Sequence, residues 1–303
     1  MRRRPGIILC YHRVASLPDD PASLAVSPAR FAEQVAALAG VVEMVPLAEV
    51  GRRSTPTVAI TFDDGYADVS EAAVPILAEH GVPATVFVVT GALAPDRVEF
   101  WWDRLEHLLL DGPVATPAIV LEEGDLRLRV DVRSDAGRRR GLKVLSHRLR
   151  RQPAERIARL MAEIERQTGR SPEPCDRHRR MTVDQLREVA HTAVIEVGSH
   201  THSHSMLTAL GPTELERELT TSRVELGALV SRPVTSCAYP FGDAQSFDQR
   251  VAAAARAAGY QRACVNVGGR VRRSTDPYLL PRHEVYDWTA PELISRVRGW
   301  LGS

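Results

Sequence analysis

Short runs of consecutive apolar residues alternate along the chain with stretches whose apolar positions recur every three or four residues. That is the pattern of buried strands and amphipathic helices in an α/β protein. Gly6-Ile7-Ile8-Leu9-Cys10-Tyr11, Val58-Ala59-Ile60-Thr61-Phe62 and Ala84-Thr85-Val86-Phe87-Val88-Val89 predict three strands. Between the first two, Ser27 as N-cap and Pro28 as first helical residue open a helix with Phe31, Val35 and Leu38 on one face. Between the second and third, a helix carries Val69, Ala73, Ile76 and Leu77 and stops at Gly81.

From about residue 95 to 180 the pattern changes. Trp101 to Leu109 reads as a helix, Val120 to Val132 alternates as a hairpin would, and a long Arg-rich helical region runs to about Thr168. The polar Ser171-Pro172-Glu173-Pro174 follows. This stretch predicts a mainly helical subdomain inserted into one α/β domain that spans 1–303. The alternation then resumes. Thr182 and Gln185 have capping-box spacing, and Val194 to Val197 predicts a strand leading into Gly198-Ser199-His200. Helices over 213–230 and 247–258 are interleaved with strands at Val234 to Tyr239 and Arg262 to Val267. Leu279 to Val285 and a helix from Pro291 to Leu301 close the chain.

Of the 303 residues, 44% are hydrophobic and 25% charged, as expected of a globular protein with an ample core. Lys and Arg number 39 against 38 Asp and Glu, so the charge balance argues for neither nucleic acid nor an anionic membrane as partner. The clusters Arg138-Arg139-Arg140 and Arg177-His178-Arg179-Arg180 read as solvated faces. Cys10, Cys175, Cys237 and Cys264 include no C-x-x-C pair, so they offer neither a zinc cluster nor a disulfide framework. The basic start Met1-Arg2-Arg3-Arg4 is followed by an apolar run that His12 and Arg13 break, and no run approaches a membrane span. These features predict a soluble, cytoplasmic protein, and oligomeric state is not readable from them.

Two segments carry chemistry. In Thr61-Phe62-Asp63-Asp64-Gly65, adjacent acids end an apolar strand. Their mutual repulsion is relieved if one carboxylate binds a cation while the other stays free as a base. An ordinary Asp-Asp-Gly surface turn is the competing interpretation. In Gly198-Ser199-His200-Thr201-His202-Ser203-His204, His200 and His204 stand four apart, which on a helical turn puts both imidazoles on one side. Two imidazoles and one carboxylate with open positions suit Zn2+, or Co2+, Ni2+ or Mn2+, holding water and substrate as well.

Taken together, the two segments resemble the polysaccharide deacetylase (NodB-homology, carbohydrate esterase family 4-like) family, and most of the chain takes part. The resemblance implies a distorted (β/α) barrel with the site at the C-terminal ends of its strands, and hydrolysis of an N-acetyl group on an amino sugar. By position it implies Asp63 as catalytic base and Asp64, His200 and His204 as metal ligands. Tyr11-His12-Arg13-Val14 and Ala238-Tyr239-Pro240-Phe241-Gly242 resemble further motifs of one branch, which places His12, Tyr239, Pro240 and Phe241 at the substrate. Phe100-Trp101-Trp102-Asp103 is familiar from branch members with a similar insertion.

Two departures stand out. The family arginine that orients the base is replaced by Ala238, and the histidine motif is shifted to Leu280-Pro281-Arg282-His283. The expectation is that Arg282 orients Asp63 and that His283 or His12 supplies the proton to the leaving amine. An ordinary salt bridge for Arg282 and rim packing for His283 weigh equally against it. Trp101, Trp102, Tyr239 and Trp288 could offer sugar-stacking faces, although core packing is the commoner fate of such residues. A cytoplasmic location would favour a glycoside or a nucleotide- or lipid-linked precursor as substrate. The alternatives are an amidohydrolase acting on a non-sugar amide and a non-catalytic carbohydrate-binding barrel.

Overall fold

The computed structural model describes residues 4–94, 99–171 and 175–302. The first three residues of the basic start, and residues 172–174 of the polar stretch, lie outside them. The chain divides into two compact units, residues 1–94 with 180–303, and residues 95–179.

The first unit is a parallel sheet rolled into a distorted barrel. Its strands are β1 (Gly6–Tyr11), β2 (Thr57–Phe62), β3 (Ala84–Val88), β4 (Ile195–Ser199), β5 (Ser236–Ala238), β6 (Arg262–Val265), β7 (Leu280–Pro281) and β8 (His283–Glu284). They lie in the order β7-β6-β5-β4-β3-β2-β1-β8, every neighbouring pair parallel. Only Arg282 separates β7 from β8. Leu280 pairs with Cys264 on one edge and His283 with Leu9 on the other, so a single five-residue segment closes the barrel.

Side chains alternate across each strand, and the alternation sorts them into two cores. Ile8, Ala59, Phe87, Ala238, Cys264 and Leu280 point inward and pack on one another. Leu9, Ile60, Phe62, Val86, Cys237 and Tyr239 point outward into the layer beneath the helices. Gly198 is the register partner of Phe87 on the neighbouring strand, where an added Cβ would sit 2.5 Å from the ring. The Phe87 ring therefore fills the barrel only because position 198 has no side chain.

Helices Pro28–Val41, Val183–His191, Pro212–Val230, Gln249–Ala257 and Ala290–Leu301 cover the outer layer. Thr182 and Gln185 form both bonds of the expected capping box. Ser27 precedes its helix without a side-chain cap bond, and its hydroxyl donates to Asp287. The helix after β2 opens as a π-helical turn, Val69–Ala73, before the α-helical Val74–His80. Pro75, which lacks an N–H and cannot complete the α-helical ladder there, accounts for the widened start. Gly81 ends this helix in the left-handed conformation.

The second unit has its own core. Helix Trp101–Leu110, the antiparallel hairpin Ala118–Glu123 with Leu126–Asp131, and helices Asp135–Leu149 and Ala154–Thr168 bury Leu105, Leu109, Ile119, Leu145, Leu160 and Ile164 together. The long Arg-rich helical region expected from sequence consists of two helices, the second starting after Pro153. Among the described residues no helix is long and apolar enough to cross a membrane.

Candidate active site

Strand alternation selects what faces the barrel interior at its C-terminal end. Residues 59, 61 and 63 share one parity, so Asp63 continues the inward row of β2 beyond Thr61. Arg282, in the closing segment, is fully buried and donates to both oxygens of Asp63, Nη1 to Oδ1 and Nη2 to Oδ2, each at 2.6 Å. Its Nη1 also reaches Thr61 Oγ1 at 3.2 Å, while the Thr61 hydroxyl donates to the Leu9 carbonyl at 2.8 Å. Burial alone would raise the Asp63 pKa, but the charges of Arg282 and His200 and the Arg282 hydrogen bonds together outweigh it and hold the carboxyl down at about 2. The same pairing, opposing the effect of burial, keeps Arg282 protonated far above any working pH.

Asp64 turns away from the strand in the left-handed region, φ 71°, followed by Gly65 at φ 85°. Its Oδ1 lies 3.4 Å from His200 Nε2 and 3.2 Å from His204 Nε2. The three ligand atoms lie within 4.8 Å of one another, and all three residues are buried. His200 Nδ1 donates to the Ala238 carbonyl at 2.9 Å, which directs Nε2 toward Asp64. Position 238 therefore serves the site through its backbone, where alanine suffices. Burial would raise Asp64, yet the two histidines hold its carboxyl well below the usual range. Burial pulls both imidazoles down; the charges of Asp63 and Asp64 overcome this at His200, which rises, but not at His204, which falls.

The segment after β4 is not the helical turn expected from the four-residue spacing. It is a loop in which Thr201, at φ 67°, and His204, at φ 58°, are both left-handed. The loop is fixed from outside by helix Pro212–Val230. Glu218, itself buried, accepts from the backbone N–H groups of His202 and Ser203 at 3.1 and 2.8 Å. Ser222 Oγ lies 2.8 Å from Ser199 Oγ, which accepts from the Thr201 N–H. Thr201 Oγ1 in turn accepts from the His204 N–H at 3.2 Å. His202 points away from the other two, toward Thr90 and Glu225. Of the six non-glycine residues at positive φ among those described, Asp64, Thr201, His204 and Phe241 are at this site. Such conformations cost about 1–3 kcal/mol each and persist where the surroundings over-determine them.

The structure does not bring every expected residue here. His283 is one position from Arg282 and so faces the opposite side of the closing segment. Its ring stacks on Trp300 at 4.1 Å between centroids, and Nε2 sits 3.0 Å from the Gly269 carbonyl. The ring expected to donate a proton is thus held on Trp300 and Gly269, outside the inward row that carries Arg282. Tyr239 is likewise out of phase with Ala238. It is fully buried in the outer core, its hydroxyl donating to the Tyr278 carbonyl, so its ring offers no face to a sugar. Trp288 packs beside Tyr286 and Trp300 under Arg296 rather than in the barrel mouth. Trp101 lies on the separate core of the second unit, and Trp102 stacks on Phe100. Pro240 is buried, while Phe241 meets the His204 ring edge-on at 4.9 Å. His12 is half-buried and shares a cluster with Cys10 and Asp63.

Sequence reasoning missed Thr61, Cys10, Glu218 and Ser222. Thr61 and Cys10 were within reach, since they share parity with Asp63 and Ile8 on strands already recognised. Glu218 and Ser222 sit on a helix whose pattern predicts only a core face. Cavities alone would also mislead. Two of about 530 and 480 Å³ open at the other end of the barrel, lined by Arg272 and Arg273 among others, and no site residue borders them.

The family model for polysaccharide deacetylase matches residues 51–115 and 161–263, more than half of the chain. The match includes Asp63, Asp64, His200, His204 and Phe241 but not His12 or Arg282. No curated protein matches the chain. Among solved structures, the Streptococcus pyogenes deacetylase PplD, in complex with acetate, is similar with a TM-score of 0.63 at 17% identity, over 98% of this chain and 99% of that one. IcaB from Ammonifex degensii gives 0.60 at 17% identity, over 99% and 98%. A de-N-acetylase from Aggregatibacter actinomycetemcomitans gives 0.59 at 17% identity, over 97% and 99%. At such identities the structures establish a shared fold, and the family model supplies the rest: the chain belongs to the polysaccharide deacetylase family, hydrolases acting on N-acetylated sugars.

Proposed function

We propose that the protein is a divalent-metal-dependent deacetylase that releases acetate from an N-acetylated amino sugar, with Asp64, His200 and His204 holding the metal. The donor set fits such an ion. With Nδ1 of His200 donating to a carbonyl, its Nε2 presents a lone pair toward a buried carboxylate oxygen 3.4 Å away, and His204 Nε2 approaches the same oxygen. Two imidazoles with one carboxylate suit zinc or a similar ion. A bound ion would supply Lewis acidity toward the acetyl carbonyl and make water available as a nucleophile near neutral pH.

The chain's own residues supply the rest. Asp63, kept anionic and oriented by Arg282, takes the proton from the attacking water. Its two bonds to Arg282 leave lone pairs to do so, and Oδ2 lies 3.9 Å from His200 Nε2, on the side of the ligand cluster. The Phe241 N–H, by family resemblance, donates to the developing oxyanion. His12 donates a proton to the departing amine, which leaves acetate and a free amino sugar. The single observation that carries this reading is the pairing of an Arg-held carboxylate with an adjacent carboxylate facing two imidazoles, since binding alone needs no free base beside a metal.

The test is acetate release from a panel of N-acetylated amino sugars, as monomers, oligomers and simple non-sugar amides, before and after chelation. Release from the sugars that chelation abolishes and added zinc restores supports the proposal. Release from the non-sugar amides alone assigns a different amidohydrolase, and undiminished release after complete metal removal overturns the role of the metal.

A further inference from the structure

Beside the proposed metal ligands stands a second group of donors. Cys10 Sγ lies 3.6 Å from Asp63 Oδ2, and His12 brings a ring nitrogen so that the three ligand atoms fall within 4.8 Å of one another. Positions 8, 10 and 12 share the inward parity of β1 and the residue after it, so one segment delivers both the thiol and the imidazole to the carboxylate that follows β2. Cys10 and Asp63 are buried and His12 half-buried, so the cluster is enclosed and still reachable from the mouth. Thiolate, imidazole and carboxylate together form a donor set for thiophilic divalent cations.

We infer that Cys10, His12 and Asp63 form a second, weaker cation site, and that its occupation by excess zinc or by cadmium switches the enzyme off. Binding exchanges the thiol proton for the metal: one Cys10 S–H bond breaks, one sulfur–metal bond forms, and one proton leaves to solvent. Asp63 Oδ2, which accepts from the thiol, becomes a ligand through the same direction in space. The order of filling follows from charge. Arg282 already neutralises Asp63, and burial favours the neutral thiol, whereas Asp64 meets its two imidazoles with no fixed cation among them. The Asp64 site therefore fills first, and the second ion must enter beside both Arg282 and the first ion. The inhibitory consequence rests on the proposed roles of Asp63 and His12, because an ion there occupies base and proton donor together. The binding itself does not depend on those roles.

Cadmium titration decides it, with Cys175→Ser as background to remove the half-buried cysteine of the second unit. The zinc-loaded protein, at one equivalent of zinc, receives cadmium while ultraviolet absorption, proton release and acetate release are recorded. Expected are a cadmium–thiolate charge-transfer band, about one proton released per cadmium, and at least about a tenfold loss of turnover, since acid–base catalysis contributes on the order of 10²–10⁴. Cys10→Ala in the same background shows no band, and its turnover resists cadmium. His12→Gln, which keeps the thiol, shows the band only at higher cadmium. A parent without the band, or a band and inhibition undiminished in Cys10→Ala, overturns the site. A band in a protein that releases no acetate from any sugar upholds the site and overturns the deacetylase reading instead.

Discussion

Arg282 clasps both carboxylate oxygens of Asp63 at 2.6 Å, although 219 residues separate the two in sequence. The clasp is possible because the segment that closes the barrel carries Arg282 between the strand pairing with β6 and the strand pairing with β1. A planar guanidinium makes two parallel bonds that an ammonium cannot reproduce. Arg282→Lys is expected to keep the charge and lose the orientation, lowering kcat about 10–100-fold with KM little changed, as changes behind metal sites commonly do. Steady-state kinetics on the best acetylated substrate measures the split.

Removing the cation altogether has a larger structural effect. Arg282→Met leaves Asp63 buried and unpaired, and breaking such a pair costs about 3–5 kcal/mol. Urea unfolding should show that loss. The double variant Arg282→Met with Asp63→Asn should recover most of it, because neither member of the pair then carries a charge. A double variant no more stable than Arg282→Met would mean that the pair is not the source of the cost.

Asp63 and Asp64 are adjacent in sequence yet have separate tasks. Asp63→Asn is expected to bind one equivalent of zinc normally while turnover falls by about 10²–10⁴-fold. His200→Ala is expected to lose zinc and turnover together. Equilibrium dialysis with metal analysis, alongside acetate release, distinguishes the two outcomes.

The outward-facing residues should behave as structure. Tyr239→Phe removes the hydroxyl that donates to the Tyr278 carbonyl, and should cost about 1 kcal/mol of stability without changing KM. His283→Phe keeps the stack on Trp300 and should leave turnover unchanged, whereas His12→Ala should not. Burial lowers the His283 pKa, so the folded state favours the neutral ring. Below the ordinary imidazole value of about 6.5 the unfolded chain binds the extra proton first, and stability contributed above that pH is lost as the pH falls. Between pH 7 and pH 5 the parent should therefore lose more stability than His283→Phe, as read from urea midpoints.

Much of this architecture is legible in the amino-acid pattern, for reasons that also explain what is not. The β/α alternation, the run ending in Asp63-Asp64-Gly65 and the His200–His204 segment are local signals. The alternation gives the α/β class, the two segments give the family resemblance, and only that resemblance implies the barrel. The convergence of Asp64, His200 and His204 was expected, but by a route the backbone does not take. Left-handed residues at 201 and 204, pinned by Glu218 and Ser222, bring the imidazoles together in place of a helical turn. Barrel closure was hidden because β7 and β8 are two residues each, too short for any periodicity. Their parity was readable all the same. A strand through Leu280-Pro281-Arg282-His283 cannot aim both Arg282 and His283 inward, and the same rule separates Ala238 from Tyr239.

The central claim is one cation held by Asp64, His200 and His204 in the service of Asp63. The most direct measurement is acetate release by chelator-treated protein as zinc is added back in known amounts. Turnover should rise linearly to one equivalent of zinc, and the Asp64→Ala variant should show no rise at all. Full turnover before any zinc is added, or a response to zinc that Asp64→Ala shares, would contradict the claim.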